Sequence, residues 1–545
     1  MTGSTECARV VVEELISFGV REVVLSPGSR NAPLSYEIFE ADKIGLLRLH
    51  VRIDERSAAF TALGLAKASG LPVPVITTSG TAAGNLHPAV MEAWHSRIPL
   101  IAITADRPAA MINSGANQTT RQRGLFAGHV RAEVQLAGND LDPRSWRFEL
   151  HRGLVACSGQ RTMIAGPFHL NIAFSEPLVP EPIDGIEEEY REITGLTREI
   201  ESTDLPAEPL TVIVAGDLPT DDGRRVAEIA DRAAVPLLAE PSSNARTAAT
   251  AIGSYRLLLQ SGLADEIERV IVVGHPTLSR PVTALMSRSN VELIIVEPSP
   301  EWRDPAMNAD RVIARFNIGH PQSANRDWLE RWQQADRQLS GRIDELINDS
   351  ASITGPALAR TLLGRLGSDD LLFVGSSNPI RDLDLAPVRA DGPAVYANRG
   401  LAGIDGSIST AVGIALAADQ PTHALLGDLT FLHDSNGLII GAAEPQPRLR
   451  IVVANDNGGS IFATLEQGHP AQLSAFERVF GTAHRVDLGA VAGSVGAAYT
   501  KIDELADLDQ LLRQPPAGLE IVDVAVDRRH RRTLDQRLNS LAATL

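Results

Sequence analysis

Short apolar runs recur along the chain, and each of them ends in a polar turn. Such runs are typical of buried parallel strands, because a strand that is covered on both faces has no polar side. The predicted strands are, in chain order, Glu22–Leu25, 46–53, 73–78, 99–104, Thr211–Ala215, 236–239, Arg269–Val273, Glu292–Val296, 370–374, 394–397, 424–429 and 450–454. Strands separated by helices in this rhythm predict an α/β fold with doubly wound parallel sheets.

Length and composition predict three domains. A chain of 545 residues is too long for one hydrophobic core, and its 44% hydrophobic residues can supply a core to each domain. We predict a first domain at residues 1–180, a second at 210–345 and a third at 350–545. The segment 181–209 is acidic and rich in proline, and we predict that it is a linker.

The charge balance argues against nucleic acid as the main partner, since 50 Lys and Arg face 68 Asp and Glu, for a net charge of -18. Nearly all basic residues are arginine, which codon bias explains, so only arginines in strand-end loops are evidence for a site. Cys7 and Cys157 give neither a disulfide framework nor zinc-type spacing. The chain has no apolar run that could span a bilayer and no signal-peptide core, which predicts a soluble, cytoplasmic protein.

One stretch, residues 427–459, has the clearest chemical pattern. Gly427 and Asp428 end one predicted strand, the segment 431–443 is predicted as a crossover helix, and a polar turn ends the next strand. That turn is Asn455-Asp456-Asn457-Gly458-Gly459. Because parallel strands end at one edge of their sheet, these oxygen-bearing side chains are expected to converge, which suits Mg²⁺ bound to a diphosphate. A surface loop can produce the same string by chance, so spacing alone leaves both interpretations open.

Polar residues also follow each predicted strand of the first domain. Ser29 and Arg30 precede a predicted helix, where they form either an anion site or an ordinary connection with a serine cap. Glu55 follows Asp54, a predicted helix N-cap, and an acid at that position also complements the helix dipole without any further role. The other candidates at this edge are Thr81, Arg107 and Gln118.

The remaining loops give less evidence for a functional site. In the second domain Gly216 and Asp217 repeat the Gly-Asp pattern, but Pro219 follows directly, and we interpret this as a coincidence of similar architecture. Only the loop 275–280 of that domain is expected to reach a site. In the third domain the Gly-rich loop 398–407 lacks the spacing of a dinucleotide fingerprint, which weighs against NAD. A solvated helix face explains the basic cluster of Arg528, Arg529, Arg531 and Arg532.

Taken together, these motifs resemble those of thiamine-diphosphate enzymes. The Gly-Asp pair and the turn at 455–459 match the cofactor motif, and Glu55 stands where such enzymes keep their activating glutamate. More narrowly, the chain resembles the 2-succinyl-5-enolpyruvyl-6-hydroxy-3-cyclohexene-1-carboxylate synthase (MenD) family of menaquinone biosynthesis. The motifs behind this resemblance are Ser26-Pro27-Gly28-Ser29-Arg30-Asn31-Ala32-Pro33, Thr78-Ser79-Gly80-Thr81-Ala82, Thr104-Ala105-Asp106-Arg107-Pro108, Gly115-Ala116-Asn117-Gln118, Asn398-Arg399-Gly400, Gly403-Ile404-Asp405-Gly406 and Gly458-Gly459-Ser460-Ile461-Phe462.

The resemblance implies pyrimidine-binding, central and diphosphate-binding domains. It also implies a homodimer, or a homotetramer built from dimers, with cofactor sites between the first domain of one subunit and the third of another. The implied reaction decarboxylates 2-oxoglutarate on thiamine diphosphate and adds the four-carbon acyl-anion equivalent to isochorismate.

The resemblance also assigns roles to single residues. Asp428, Asp456 and the Gly458 carbonyl are expected to bind Mg²⁺, with Mn²⁺ as an alternative; the family commonly has Asn where this chain has Asp456, which leaves Asn455 as a rival ligand. Glu55 is expected to bond the aminopyrimidine ring and to promote deprotonation of the thiazolium carbon. Further cofactor contacts are expected from Thr81, Gly403, Ile404 as the wedge that bends the cofactor, Gly427 and Gly459. Substrate contacts are expected from Ser29, Arg30, Arg107, Asn117, Gln118, Arg280, Ser377, Arg381, Arg399, Ile461, Phe462 and Leu465.

The sequence leaves two alternative functions open. One is another thiamine-diphosphate enzyme, such as a 2-oxoacid decarboxylase or an acetohydroxyacid synthase, although their smaller substrates need fewer arginines. The other is a non-catalytic binding protein of the same fold, which the intact Glu55, Asp428 and glycine turn disfavour.

Overall fold

The computed structural model describes residues 3–138, 142–179 and 200–544. These residues divide into two compact units. The first comprises the described residues before 180 together with Gly400–Asp419 and Leu432–Arg448, and the second comprises 200–399, Gln420–Phe431 and 449–544. Most of the predicted linker, residues 181–199, lies outside the described residues, and its remainder includes a short strand, Thr203–Leu205.

The first unit contains a parallel sheet with the strand order β2-β1-β3-β4-β6-β5. Its strands are β1 (Glu22–Leu25), β2 (Arg48–Val51), β3 (Val73–Thr77), β4 (Leu100–Asp106), β5 (Ala132–Ala137) and β6 (Phe168–Ala173). All seven residues of β4 are buried, as its continuous apolar run predicts. The sequence did not predict β5 or β6, and β5 at the edge of the sheet lacks a continuous apolar run.

The second unit contains a central parallel sheet, ordered β12-β11-β10-β8-β9, and a separate pair, β13-β7. The four predicted strands of this region are confirmed, and β7, β12 and β13 are additional. Their bounds are β7 (Thr203–Leu205), β8 (Thr211–Ala215), β9 (Leu237–Ala239), β10 (Arg269–Val273), β11 (Glu292–Val296), β12 (Arg311–Ile313) and β13 (Phe316–Ile318).

The second unit also holds the strands of a third sheet, ordered β15-β14-β16-β17-β19-β18 and again parallel throughout. They are β14 (Leu371–Val374), β15 (Ala394–Tyr396), β16 (Thr422–Gly427), β17 (Leu449–Asn455), β18 (Ala498–Ile502) and β19 (Leu519–Ala525). Numbered from its own first strand, this sheet has the same order as the sheet of the first unit. In both sheets the order reverses between the first and third strands, and open α/β sheets bind ligands at that point.

Helices connect the strands, and the predicted α/β class with doubly wound parallel sheets is confirmed. They are α1 (Gly3–Ser17), α2 (Ala32–Lys43), α3 (Glu55–Ser69), α4 (Thr81–Asn85), α5 (His87–Ser96), α6 (Pro143–Ser158), α7 (Thr220–Ala233), α8 (Tyr255–Leu258), α9 (Arg280–Met286), α10 (Ser323–Asn348), α11 (Gly355–Arg365), α12 (Asn378–Leu383), α13 (Ser407–Ala417), α14 (Asp428–His433), α15 (Ile461–Thr464), α16 (Leu473–Phe476), α17 (Leu488–Ser494), α18 (Leu505–Leu511) and α19 (Arg531–Ser540). Among the described helices, none is both long and apolar enough to cross a membrane.

In the first unit α3 packs closely against α13. A Cβ atom on Gly64 would lie 2.1 Å from the carbonyl oxygen of Thr410, and one on Gly413 would lie 2.2 Å from that of Thr61. The two glycines therefore allow the helix backbones to touch, which side chains at these positions would prevent.

The predicted crossover helix 431–443 is wrong in its extent. The helix α14 covers Asp428–His433, a 3₁₀ turn follows at Ser435–Leu438, and the rest of the connection is irregular. Side chains hold this connection within the first unit, because Glu444 accepts the N–H of Val51 at 2.7 Å and Asn436 donates to Asp54 at 2.7 Å.

Candidate active site

The loop after β1 presents Ser29 and Arg30 at the carboxyl edge of the first sheet. The buried Asn31 donates from Nδ2 to the carbonyl of Ser26 at 3.1 Å, which closes the loop. Arg30 donates from Nη1 to the carbonyl of Phe174 at 3.0 Å, and its buried Nε has no hydrogen-bond partner within the described residues. Ser29 is exposed. The loop thus offers a hydroxyl group and part of a guanidinium to a ligand.

Arg107 follows β4 and is 8% exposed. Its Nη1 donates to the hydroxyl of Ser79 and to the carbonyl of Gln118, the latter at 3.0 Å. The Gln118 side chain donates back to the Ser79 carbonyl at 2.9 Å. Asn117 is exposed in the same loop, and across the described ranges its side chain makes no hydrogen bond. The structure therefore brings Arg107 and Gln118 together and leaves Asn117 at the surface beside them.

The charges of Arg30 and Arg107 repel each other. The pKa of Arg107 is lowered, first because burial penalises its charge and then because Arg30 is near, while Asp106 acts in the opposite direction. Asp106 is buried and accepts a hydrogen bond from Asn171 at 2.9 Å. In the part of the chain that the structure describes, neither arginine has a carboxylate within 4.0 Å. Two neighbouring guanidinium groups without such a partner favour an anionic ligand.

Glu55 begins α3 at the end of β2, as predicted. The side chain of Asp54 caps the helix by accepting the N–H groups of Arg56 and Ser57 at 2.9 and 3.2 Å. Glu55 is half-buried and accepts one long hydrogen bond, 3.4 Å, from Asn85 on α4. The capping geometry thus fixes the backbone of Glu55, and among the described residues the Oε1 atom of its carboxylate has no hydrogen-bond partner.

Thr81 is exposed at the start of α4, and its loop is supported by a residue that the sequence did not indicate. Gln122 is fully buried; its Oε1 accepts the N–H of Gly80 at 2.9 Å and its Nε2 donates to Asn171 at 2.7 Å. A single glutamine in a polar loop gives no sequence signal for this role.

Gly403 and Ile404 lie half-buried in the first unit, in the loop before α13. The buried carboxylate of Glu92, on α5, holds the start of this loop by accepting the N–H groups of Gly400 at 2.8 Å and Leu401 at 2.7 Å. The sequence did not indicate Glu92, because an acid within a helix is ordinarily solvated.

In the second unit, Asp428 and the turn after β17 meet at the carboxyl edge of the third sheet, as predicted. Asp428 is 2% exposed, and its Oδ2 accepts the N–H of Gly458 at 2.8 Å. The Nε2 atom of His484, which the sequence did not indicate, lies 3.0 Å from the same oxygen. Gly458 has a φ of 142°, and a Cβ there would lie 2.2 Å from the carbonyl oxygen of Gly481. Glycine is therefore required at this position.

The two rival ligands in this turn have different surroundings. Asn455 is engaged, since its Nδ2 donates to Asp523 at 2.9 Å and its Oδ1 accepts the N–H of Asn457 at 3.2 Å. Asp456 accepts the Ser460 hydroxyl with one oxygen, while its other oxygen, Oδ1, is buried without a hydrogen-bond partner among the described atoms. Burial raises the pKa of Asp456 to about 7, and the charge of Asp428 adds to this effect.

These two carboxylates fit a divalent cation, because a cation would compensate their buried charges. Across the described ranges, no group of three or more His, Cys, Asp or Glu side chains could hold a metal alone. Two side-chain ligands suit an ion that takes its other oxygens from a diphosphate.

The other predicted residues of this edge surround the turn. Gly427 ends β16, and Gly459 donates to the carbonyl of Gly481 at 2.7 Å. Ile461 and Phe462 are half-buried on α15, Leu465 follows it, and the ring centroid of Phe462 lies 5.6 Å from that of Phe480.

A second arginine pair lies in the second unit. Arg399 is 3% exposed, and Arg381 donates from Nη1 to the carbonyl of Ser377 at 2.7 Å. The pKa of Arg381 is lowered by burial first and then by the charge of Arg399. Among the described residues, neither side chain has a carboxylate within 4.0 Å, and the neighbouring acid Asp382 binds Arg531 at 2.7 Å.

Arg280 is placed differently. It begins α9, its side chain is 81% exposed, and it pairs with Glu466 at 3.2 Å. The structure therefore puts its side chain at the surface, near the loop that contains Leu465.

The basic cluster near the C-terminus is not simply a solvated face, and that interpretation is wrong for two of its members. Arg531 is buried against Asp382, and Arg532 donates from Nη1 to the carbonyls of Ala463 and Leu465 at 2.6 and 3.2 Å. Charge runs give no signal of such contacts, because the acceptors are distant in sequence.

Comparison with known proteins supplies the family. Residues 5–125 match the family model of the N-terminal thiamine pyrophosphate (thiamine diphosphate) binding domain of thiamine pyrophosphate enzymes, and residues 385–520 match that of the C-terminal binding domain. Curated relatives with the name 2-succinyl-5-enolpyruvyl-6-hydroxy-3-cyclohexene-1-carboxylate synthase include proteins of Nocardioides sp., 44% identical over 99% of this chain and 98% of the relative, and of Renibacterium salmoninarum, 44% identical over 99% and 97%. A further relative of that name, from Mycobacterium marinum, is 42% identical over 98% of each chain. The chain therefore belongs to the 2-succinyl-5-enolpyruvyl-6-hydroxy-3-cyclohexene-1-carboxylate synthase family of thiamine-diphosphate-dependent enzymes.

Proposed function

We propose that the chain decarboxylates 2-oxoglutarate and adds the succinyl-semialdehyde carbanion equivalent to isochorismate, giving 2-succinyl-5-enolpyruvyl-6-hydroxy-3-cyclohexene-1-carboxylate and CO₂ in menaquinone biosynthesis. One observation supports this most. Two arginine pairs, Arg30 with Arg107 and Arg381 with Arg399, have no carboxylate partners in the described chain; Arg381 lies on α12, and the other three lie in loops that follow strands. Both substrates are dicarboxylates, which planar guanidinium forks recognise, whereas a pyruvate enzyme has a single carboxylate to bind.

Thiamine diphosphate supplies the reactive thiazolium carbon at which a 2-oxoacid loses CO₂. We assign Asp428, Asp456 and the Gly458 carbonyl as ligands of Mg²⁺, or of Mn²⁺ as an alternative, which would hold the diphosphate. The unpartnered Oδ1 of Asp456 supports this residue over Asn455, whose amide is already bonded on both sides. Gly427, Asn455 and Gly459 then line the cofactor by their backbone.

Glu55 is the proposed catalytic residue. With the cofactor bound, its carboxylate would form a hydrogen bond to the aminopyrimidine ring and would promote deprotonation of the thiazolium carbon. Its position at a capped helix start, with one carboxylate oxygen unbonded among the described residues, supports this role, because general acid–base chemistry needs a positioned group. Thr81, Gly403 and Ile404 are the proposed further contacts, and Ile404 would pack against the cofactor as an apolar wedge.

The substrate contacts are proposed in two groups. From the first unit come Ser29, Arg30, Arg107, Asn117 and Gln118. From the second unit come Arg280, Ser377, Arg381 and Arg399 for carboxylates, and Ile461, Phe462 and Leu465 as an apolar wall for the isochorismate ring. The exposed, ion-paired position of Arg280 requires that its side chain leave Glu466 before it can reach a substrate.

We further propose that the chain works as a homo-oligomer, a dimer or a tetramer of dimers, in which subunits share their active sites. Gel filtration with light scattering tests this assembly, and a monomeric, fully active enzyme would exclude it. A cytoplasmic location is also proposed, and the two buried, unpaired cysteines, Cys7 and Cys157, are consistent with a reducing compartment.

The experiment that tests the reaction supplies 2-oxoglutarate, thiamine diphosphate and Mg²⁺, with and without isochorismate. We expect CO₂ release coupled to an adduct of isochorismate plus a four-carbon unit, identified by mass spectrometry. Pyruvate in place of 2-oxoglutarate is the matched control and should give little product. Turnover of pyruvate without any adduct from 2-oxoglutarate would favour an acetohydroxyacid-synthase-like enzyme instead.

A further inference from the structure

The guanidinium of Arg399 is held by a residue of the loop that follows β10, a strand of the central sheet. Its Nε and Nη2 both donate to the hydroxyl oxygen of Thr277, at 3.1 and 2.7 Å. Thr277 lies in the loop after β10, whereas Arg399 follows β15 of the third sheet. An arginine side chain has many rotamers, and one acceptor that takes two of its N–H groups orients the planar fork.

The backbone of Thr277 is fixed in turn. The Oε1 atom of Glu240, which directly follows β9, accepts the N–H groups of Thr277 at 2.9 Å and of Leu278 at 2.8 Å. Glu240 is 1% exposed, and burial raises its pKa to about 8, against the effect of the charge of Arg399. Burial of a carboxyl group costs free energy, so packing alone would favour an apolar side chain at this position. The presence of Glu240 is explained by its role as an anchor for the loop behind Arg399.

Thr277 leaves one edge of the arginine unused. The Nη1 atom of Arg399 makes no hydrogen bond to any part of the chain that the structure describes. Because the Thr277 hydroxyl occupies the Nε–Nη2 edge, the guanidinium is held in one orientation. In that orientation its Nη1 side is available to a ligand. The nearby charge of Arg381 makes that edge a site for an anion.

We propose that Thr277 is a positioning residue for Arg399, which orients the guanidinium toward a carboxylate of 2-oxoglutarate. The inference rests on the proposed function and deepens it. Thr277 acts through Arg399 and does not touch the reacting atoms, so its loss should weaken substrate capture more than it slows turnover.

The test compares Thr277→Val, which keeps the shape and removes the hydroxyl, with Thr277→Ser, which restores it. Thr283→Val is the matched control, since Thr283 lies exposed on α9 and its side chain makes no hydrogen bond within the described residues. We expect Thr277→Val to raise the KM for 2-oxoglutarate roughly tenfold, as for loss of a charge-assisted hydrogen bond, with a smaller change in kcat. The dissociation constant of thiamine diphosphate should not change, and the Ser variant and the control should resemble wild type.

A double-mutant cycle separates positioning from a general structural effect. In an Arg399→Ala background, Thr277→Val should raise the KM no further, because its effect passes through the missing guanidinium. An unchanged KM in Thr277→Val, or the same increase in both backgrounds, would overturn the inference. If wild-type enzyme releases no CO₂ from 2-oxoglutarate, the proposed function itself fails and the inference fails with it; if wild type is active and Thr277→Val is unaffected, only the inference fails.

Discussion

Gly80 and Ser377 adopt nearly the same backbone conformation, with φ 83° and ψ -135° for Gly80 and φ 75° and ψ -131° for Ser377. Each lies three residues beyond its strand, at the reversal point of its own six-stranded sheet, and each precedes a short helix. Glycine adopts this positive φ freely, but it costs a residue with a side chain about 1–3 kcal/mol. Strain of this kind is retained where the side chain itself has a role.

The variant Ser377→Gly should therefore be more stable and less active. We expect a gain of about 1 kcal/mol in the free energy of unfolding, because relief of strain exceeds the added entropy of the unfolded chain. Loss of the hydroxyl should raise the KM for 2-oxoglutarate. Urea unfolding and steady-state kinetics measure the two effects. The neighbouring Ser376→Gly, at an ordinary φ, should lose stability, and a destabilised Ser377→Gly would contradict the assignment of strain.

Variants without the Asp456 carboxylate should distinguish the effect of this group on cation binding from its effect on stability. Without cations, Asp456→Asn should raise the melting temperature, because the buried charges of Asp428 and Asp456 no longer repel. Addition of Mg²⁺ and thiamine diphosphate should raise the melting temperature less in Asp456→Ala, which has no side-chain oxygen for the cation, than in wild type, because ligand-induced stabilisation follows affinity. Differential scanning calorimetry measures both shifts. Asp503→Asn, an exposed acid, is the control for the charge change, and an undiminished shift in Asp456→Ala would exclude Asp456 as a ligand.

The variant Glu55→Gln should bind thiamine diphosphate and lose most turnover. The amide is similar in shape, so the helix start and the contact to Asn85 are retained, but it cannot exchange a proton with the cofactor ring. We expect kcat to fall by a factor on the order of 10²–10⁴. Cofactor binding by calorimetry and initial rates test this. Glu40→Gln, at an exposed ion pair with Lys43, should be unaffected, and wild-type rates in Glu55→Gln would remove Glu55 from the mechanism.

The variant Arg399→Ala should weaken substrate use more than cofactor affinity. Its side chain donates hydrogen bonds to Thr277 and lies beside Arg381. Within the described residues it makes no hydrogen bond to Asp428 or to the turn at 455–459. We expect the KM for 2-oxoglutarate to rise by tenfold or more, as for one charged hydrogen bond to a carboxylate (about 1.5–3 kcal/mol). Arg389→Ala, a half-buried arginine paired with Asp391 at 2.9 Å, is the control. The opposite pattern, with weaker cofactor binding and an unchanged KM, would contradict the assignment.

Glu37 should make stability depend on pH. It is fully buried on α2, neither carboxylate oxygen has a hydrogen-bond partner within the described residues, and burial raises its pKa to about 7. Arg9 partly opposes this, while Glu13 and Glu40 add to it. The pKa of Glu37 is higher in the folded state than in the unfolded state, so its protonation stabilises the fold. This stabilisation is complete below about pH 4.5 and is lost as the pH rises to about 7.

The variant Glu37→Gln should remove this dependence. Wild type should lose at most about 1.4 kcal/mol of unfolding free energy per pH unit between pH 4.5 and 7 relative to the variant. Parallel urea titrations of both proteins over this range provide the measurement. Equal slopes in the two proteins would show that Glu37 is ionised in the folded state.

The sequence indicated much of the fold and supplied the candidate residues of the proposed site. Continuous apolar runs such as β4 predicted strands correctly, because a strand buried on both faces leaves a local signal. Edge strands such as β5 and β18 were missed, because their exposed positions weaken that signal. The crossover helix was overextended, because residues 434–444 make their contacts with distant parts of the chain.

Chain order and motif spacing by themselves determined which residues meet at each sheet edge. Neighbouring parallel strands end at the same edge of their sheet, so Asp428 and the 455–459 turn had to lie close together, whichever partners their side chains bond. Only the tertiary structure decided how those side chains pair: Asn455 is bonded while Asp456 keeps a free buried oxygen, and Arg399 is oriented by Thr277, 122 residues away. Such pairings depend on distances of a few ångströms between segments far apart in the chain, and no local pattern records them.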